Sequence, residues 1–175
     1  MQQLPKEKIA VSIRSFHLPA YEEIPDVGLF LEQVAKYIAD ILTPLQESSL
    51  TSSMISNYVK KKLISNPVKK QYDREQIAYL IFIAVAKNVL SLENIQLLIR
   101  LQKESYTTRR AYEYFRREFE NLLLWVFGLK ETPEVVGVDH TEEKVMLRNT
   151  IMAAVHKIYL ETYFAALREN TENEE

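Results

Sequence analysis

A chain of 175 residues that is 47% hydrophobic and 26% charged fits one compact domain, or a small domain plus an accessory helical unit, and is too apolar for wholesale disorder. Three glycines and six prolines are too few for a turn-rich β protein, and the absence of cysteine excludes disulfides and thiolate metal sites. The net charge of −2 conceals a segregation: residues 51–74 carry Lys60, Lys61, Lys62, Lys69, Lys70 and Arg74 against Asp73 alone, whereas residues 131–175 carry ten acidic and four basic side chains. A basic middle beside an acidic tail suits a polyanion on one face only; a merely solvated lysine-rich turn explains the same charges equally well.

Residues 1–27 read as an irregular arm laid across the body, because Pro5, Pro19 and Pro25 break helical runs. The early Pro5, Lys6, Glu7 and Lys8 leave no signal-peptide core, and a cytoplasmic protein is expected. From Leu29 the apolar residues Phe30, Val34, Ile38, Ile41 and Leu45 recur every three or four positions, which predicts a first helix ended by Pro44. After a turn over Ser48 to Thr51, Thr51 caps a second helix through Lys61. Met54, Ile55, Tyr58 and Val59 form its apolar side; Ser52, Ser53, Ser56, Asn57, Lys60 and Lys61 form its polar side. Residues 64–72 leave room only for a small loop or a two-stranded wing.

Asp73 and Gln76 have the spacing of a capping box and open a third helix to about Lys87, apolar all round and so buried on every side. Its apolar run, Ile77 to Ala86, spans ten residues, against the roughly 20 needed to cross a bilayer, so no membrane association is expected. Ser91 caps a fourth helix with Leu92, Ile95, Leu98 and Ile99 inward. Thr107 or Thr108 caps a fifth, on which Tyr112, Phe115, Phe119, Leu122 and Val126 step at heptad spacing. Gly128 stops it, residues 128–140 form a linker, and Thr141 caps a last helix to about Arg168 before a polar tail at 169–175. The expected architecture is all-α: an arm (1–28), a helix-turn-helix domain (29–104) and a C-terminal helical hairpin (105–175) that serves as the dimerisation or accessory region.

Two short helices, a basic loop and a buried helix follow the order of a winged helix-turn-helix. Small polar side chains at the start of a recognition helix can approach base edges, and lysines at its end and in the wing can meet phosphates. On that reasoning Ser52, Ser53, Ser56 and Asn57 are candidate readout residues, and Lys60, Lys61, Lys69, Lys70 and Arg74 candidate phosphate contacts. The stretch from Thr51 through Tyr58, Leu63, Ile64, Lys70, Tyr72, Ile77 and Leu80 to Ser91-Leu-Glu-Asn-Ile95 resembles the MerR-type regulators. The resemblance implies a MerR-like winged helix-turn-helix and a homodimer that binds double-stranded DNA to regulate transcription. Lys62 stands where that family usually has glycine, Ser56 where an arginine often contacts DNA, and the wing is shorter than usual. The whole chain, including Leu18-Pro-Ala-Tyr-Glu-Glu-Ile-Pro-Asp26, also resembles a family of uncharacterised proteins of Gram-positive bacteria that carry a domain of unknown function.

Other chemistry finds little support in the residues. His17, His140 and His156 share no ligand spacing, and three glycines cannot build a phosphate-cradling loop. Asp139-His140 has no serine or cysteine nucleophile near it in sequence. Neither a metal, a cofactor nor an enzymatic activity is therefore expected. Arg109, Arg110, Arg116 and Arg117 alternate with Glu113, Glu118 and Glu120 as on a solvated, salt-bridged helix face. Tyr112, Phe115, Phe119, Tyr159 and Tyr163 are candidates for a small-molecule effector pocket across the hairpin, although aromatic stripes usually serve as core. The rival to DNA binding is a protein-interaction module that keeps the helix-turn-helix scaffold without DNA readout.

Overall fold

The computed structural model describes residues 6–45 and 49–172; Pro5, Ser48 and the end of the acidic tail lie outside them. The described chain is mostly helical, with one two-stranded ladder. It begins not as an irregular arm but as a helix, α1 (Lys6–Arg14). Ile9, Ala10 and Ile13 recur at helical spacing and are buried, and Pro19 and Pro25 fall beyond the helix, where they break nothing. The arm proper is residues 18–24, and it does cross the body, ending in a 3-10 turn over Tyr21–Glu23.

Strand β1 (Leu29–Phe30) runs directly into α2 (Leu31–Leu42), which buries Val34, Ile38 and Leu42. Pro44 sits in a 3-10 turn (Thr43–Leu45) that ends the helix and buries Leu45. Phe30, expected on the helix's inner face, instead lies in β1 and is half exposed, and Ile41 is only partly buried. Helix α3 (Ser52–Lys60) opens on Thr51, whose side chain accepts from the Met54 amide at 3.2 Å. It closes with Leu63 N–H on the Tyr58 carbonyl (2.9 Å) and Lys62 N–H on the Val59 carbonyl (3.0 Å), a Schellman pattern that puts Lys62 in the left-handed region at φ 61°.

Strand β2 (Gln71–Tyr72) pairs antiparallel with β1, Leu29 opposite Tyr72 and Phe30 opposite Gln71. The expected wing is thus smaller than a local hairpin. Val68 and Gln71 exchange both backbone hydrogen bonds (3.1 and 2.9 Å) around Lys69-Lys70, and the continuing ladder uses β1, some 40 residues earlier. Gly28 (φ 80°) lets β1 come close, since a Cβ there would meet the Gln71 side chain at 3.0 Å.

Helix α4 (Arg74–Ala86) is the centre of the core, buried from Gln76 to Ala86. Both arms of the Asp73–Gln76 capping box are made, at 2.9 and 2.8 Å. Around it pack α5 (Leu92–Ser105), capped by Ser91, and α6 (Thr108–Val126), capped by Thr107. Gly128 (φ 72°) ends α6, with Leu129 N–H on the Leu124 carbonyl at 2.8 Å.

Helix α7 (Glu142–Glu172) has 31 residues. It does not form a hairpin with α6. Lys144 lies over the Tyr114 ring, Arg148 pairs with Glu118, and Phe127 packs on Tyr159, so both chains advance together and the two helices are parallel. The linker makes this possible by running back along α6: Asn121 binds the backbone of Glu134, and Arg110 binds Asp139. Residues 128–141, at roughly 3.3 Å each when extended, easily span a helix of about 28 Å. Among the described residues no helix is long and apolar enough to cross a membrane.

The arginine–glutamate face of α6 also differs from a solvated stripe. Glu120 accepts the Leu18 amide (2.8 Å) and Glu113 the Tyr21 amide (2.6 Å), while the Tyr112 hydroxyl donates to the Pro19 carbonyl (2.8 Å). Glu118 is buried. Glu113 and Glu120 serve as acceptors for two backbone amides of the arm that its own local hydrogen bonds do not satisfy.

Candidate nucleic-acid interface

The basic stretch is held by two glutamines, Gln76, which the sequence marks only as a capping residue, and Gln96, which it does not mark. Gln76, buried at the start of α4, completes the capping box and also donates from Nε2 to the carbonyls of Ser65 and Asn66 (3.0 and 3.1 Å). Gln96 of α5 donates to the Lys61 carbonyl at 3.1 Å, fixing the end of α3. The capping-box spacing marked Gln76 in the sequence, but its second set of acceptors comes from a loop ten residues away that only the fold brings near.

On this frame Lys60, Lys61, Lys62, Lys69 and Lys70 are all exposed, and none forms an ion pair with a described residue. Lys62, Lys69 and Lys70 have φ of 61°, 50° and 64°, and they are the non-glycine residues with positive φ in the described chain. The left-handed conformation costs a side chain about 1 kcal/mol or more, and a two-residue turn of this kind is ordinarily Asn-Gly. Three places that suit glycine or asparagine are held by cations.

At the start of α3, Ser53 and Ser56 are exposed and Asn57 is partly so. Ser52 is only partly exposed, and its hydroxyl donates to Glu32 Oε1 at 2.8 Å, which brings an acid of α2 beside the candidate readout residues. Arg74 does not join the lysines. Its Nε donates to the Ile24 carbonyl (2.9 Å), and its other nitrogens reach the Glu22 carboxylate (3.1 Å) and carbonyl (3.2 Å), with Asp26 at 3.8 Å. Its charge is spent fastening the arm to α4, which removes it from the phosphate-contact set.

The five candidate effector-pocket aromatics separate. Tyr112 and Phe115 line a cavity between α4, α5, α6 and the linker, whereas Phe119 is sealed in the core beside Phe16. Tyr159 and Tyr163, four residues apart on α7, stack on each other, and the parallel arrangement puts them near Phe127 and away from Tyr112. Burial raises the Tyr112 phenol far above its ordinary range, so it remains a neutral donor to Pro19.

A family model described as a domain of unknown function (DUF1836) matches residues 19–115, more than half of the chain. The chain belongs to this family. The DUF1836 match takes in the arm's tie to α4, the β1–β2 ladder, all of α2 to α5, and α6 as far as Phe115. No curated protein and no solved structure matches the chain.

Proposed function

We propose that this DUF1836 protein binds duplex DNA as a homodimer through a MerR-like winged helix-turn-helix and thereby regulates transcription. The observation that carries the reading is the set of five exposed lysines at 60, 61, 62, 69 and 70, unpaired by described acids, three of them in strained backbone. Phosphate contact gives such charges a use that packing does not. Supporting it is the order of elements: β1 leads into α2, α3 follows, and β2 returns to β1 before the buried α4. In this reading Ser53, Ser56 and Asn57 face the groove.

A protein-interaction role is favoured by one feature of the same region. Val27, Phe30 and Val68, at the ladder and its turn, are exposed apolar residues that phosphate contact does not need.

The deciding experiment uses Lys69→Asn with Lys70→Gly. This pair removes two charges and places the preferred residues in the turn, so weaker binding cannot be put down to unfolding. Fluorescence anisotropy with duplex DNA at several salt concentrations should show weaker binding to every sequence. The slope of log affinity against log salt should flatten by about 0.9 for each phosphate that the variant no longer neutralises. Thermal unfolding of the same variant should move upward. Unchanged affinity and slope would sink the DNA reading and leave the protein-interaction reading in its place.

A further inference from the structure

A cavity of about 350 Å³ opens between α4, α5 and α6 and is closed over by the linker at 136–139 and the start of α7. Its volume lies at the low end of small-molecule sites and is far larger than the packing voids of a native core. The walls are apolar: Ala78 and Phe82 of α4, Leu98 of α5, and Ala111 and Phe115 of α6. The polar groups of the interior are already engaged with one another. The Tyr79 hydroxyl meets Gln102 Oε1 at 2.8 Å, Gln102 Nε2 donates to the Tyr106 carbonyl at 2.7 Å, and Thr108 donates to Glu75 at 2.7 Å. What remains for a guest is aromatic and aliphatic surface.

The mouth is different. Arg110 and Lys144 both lean on a single oxygen, Asp139 Oδ2, at 2.9 and 3.9 Å. Each cation also lies over a tyrosine ring, Arg110 on Tyr106 (5.2 Å) and Lys144 on Tyr114 (4.6 Å). The other carboxylates of the rim face elsewhere: Glu143 accepts from Ser105 (3.0 Å), and Glu113 is taken by Arg116 and the Tyr21 amide. Two cations therefore share one carboxylate, and that carboxylate belongs to the linker strap. Lys144 keeps only 13% of its side chain exposed, so its charge is poorly screened by water. Gly137 turns the strap in the left-handed region (φ 75°), where a side chain would be strained, and Lys144 Nζ lies against its open side.

We infer that this cavity is a binding site for a small aromatic molecule bearing one anionic group, whose ring fills the apolar interior and whose charge meets Arg110 and Lys144 at the mouth. Ring burial supplies affinity, and charge-assisted hydrogen bonds set orientation. The inference stands whether or not the protein binds DNA.

The test titrates anilinonaphthalene sulfonate, an aromatic anion that fluoresces in apolar surroundings, into the full-length folded protein, with uncharged phenylnaphthylamine as its companion. Saturable one-to-one binding of the sulfonate is expected. Lys144→Gln should weaken the sulfonate by about tenfold and leave the uncharged probe unchanged, as removal of one charged partner requires. Asp139→Asn, which releases both cations, should tighten the sulfonate. Ala111→Phe should abolish binding of both probes while near-ultraviolet circular dichroism is retained. Should that variant fail to fold, methyl NMR on the wild type decides instead: the sulfonate should shift Leu98, Ile99 and Leu147, which line the cavity. Non-saturable binding, shifts confined to other methyls, or equal weakening of both probes in Lys144→Gln would overturn the inference.

Discussion

Lys62 shows how one residue can serve charge at the expense of backbone. It occupies the left-handed position after α3 with φ 61°, where glycine carries no Cβ penalty. Lys62→Gly should raise stability by about 0.5–1 kcal/mol, the strain relieved being partly offset by the entropy of glycine in the unfolded chain; a shift of the urea midpoint at constant slope is the measurement. Glu118 is a second residue where an expensive arrangement is visible. It is 1% exposed, and one carboxylate oxygen accepts from Arg148 Nε at 2.7 Å while the other has no partner among the described residues. Arg148 is half-exposed, so water can replace the carboxylate if it is removed. Glu118→Met, of similar length, should therefore stabilise the protein by about 1 kcal/mol or more, as replacing buried charge by apolar packing often does. A lower midpoint would mean that the carboxylate contributes more than its desolvation costs.

At the scale of elements, the arm illustrates what the sequence shows and what it hides. Burial opposes ionisation of Glu113, but hydrogen bonds from Arg116 and the Tyr21 amide prevail and hold its carboxyl below the ordinary carboxylate range. A depressed folded-state pKa contributes stability above the unfolded pKa and loses it as pH falls through the folded value. Glu113→Gln keeps an acceptor for Tyr21 but abolishes the charge. The variant should therefore be less stable than wild type near neutral pH, and the gap should close as acid protonates the wild-type carboxyl. Denaturation midpoints across an acid series check this; a gap independent of pH contradicts it. The caps behind this arrangement were legible, because Thr51, Asp73, Ser91 and Thr107 each satisfy amides three residues on, a purely local relation. The buried side of α3 was legible in part: Ile55 and Tyr58 are in the core, as is Leu63 just beyond the helix, whereas Met54 and Val59 are only partly buried. What stayed hidden is long-range. Glu113 and Glu120 look like surface charges until Tyr21 and Leu18 are brought 92 and 102 residues along the chain to meet them. Arg74 looks like a phosphate contact until Glu22 and Ile24 are seen to occupy it. Helix α1 was hidden because prolines at 5, 19 and 25 flank it, although Ile9, Ala10 and Ile13 recur at helical spacing within it.

The whole molecule is asymmetric in length, and the asymmetry bears on its proposed dimer. A 31-residue helix runs about 46 Å, whereas the 19 residues of α6 run about 28 Å. Because the two are parallel and level near Tyr114 and Lys144, α7 continues well past the end of α6 at Phe127. Part of this overhang is covered by α1, whose Ile9 and Ser12 lie beside Thr162 and Ala166. Among the described residues nothing covers the opposite side. Leu160 and Phe164, four residues apart and so on one face, are 51% and 50% exposed, and Ala153 and His156 extend the exposed strip toward the start of the helix. A second copy related by a two-fold axis would cover the strip with an identical one, and the commonest soluble oligomer is of this kind. It would also supply the paired half-site contacts that a helix-turn-helix protein uses on DNA. Sedimentation equilibrium at micromolar concentration should therefore give a dimer mass for the wild type. Leu160→Glu with Phe164→Glu should give a monomer that stays folded, since neither side chain belongs to the core. The monomer should bind DNA more weakly and with a shallower salt slope, because each complex then neutralises only half as many phosphates. A wild type that sediments as a monomer would refute the dimer. A variant that stays dimeric would move the interface away from this strip and onto another face of the molecule.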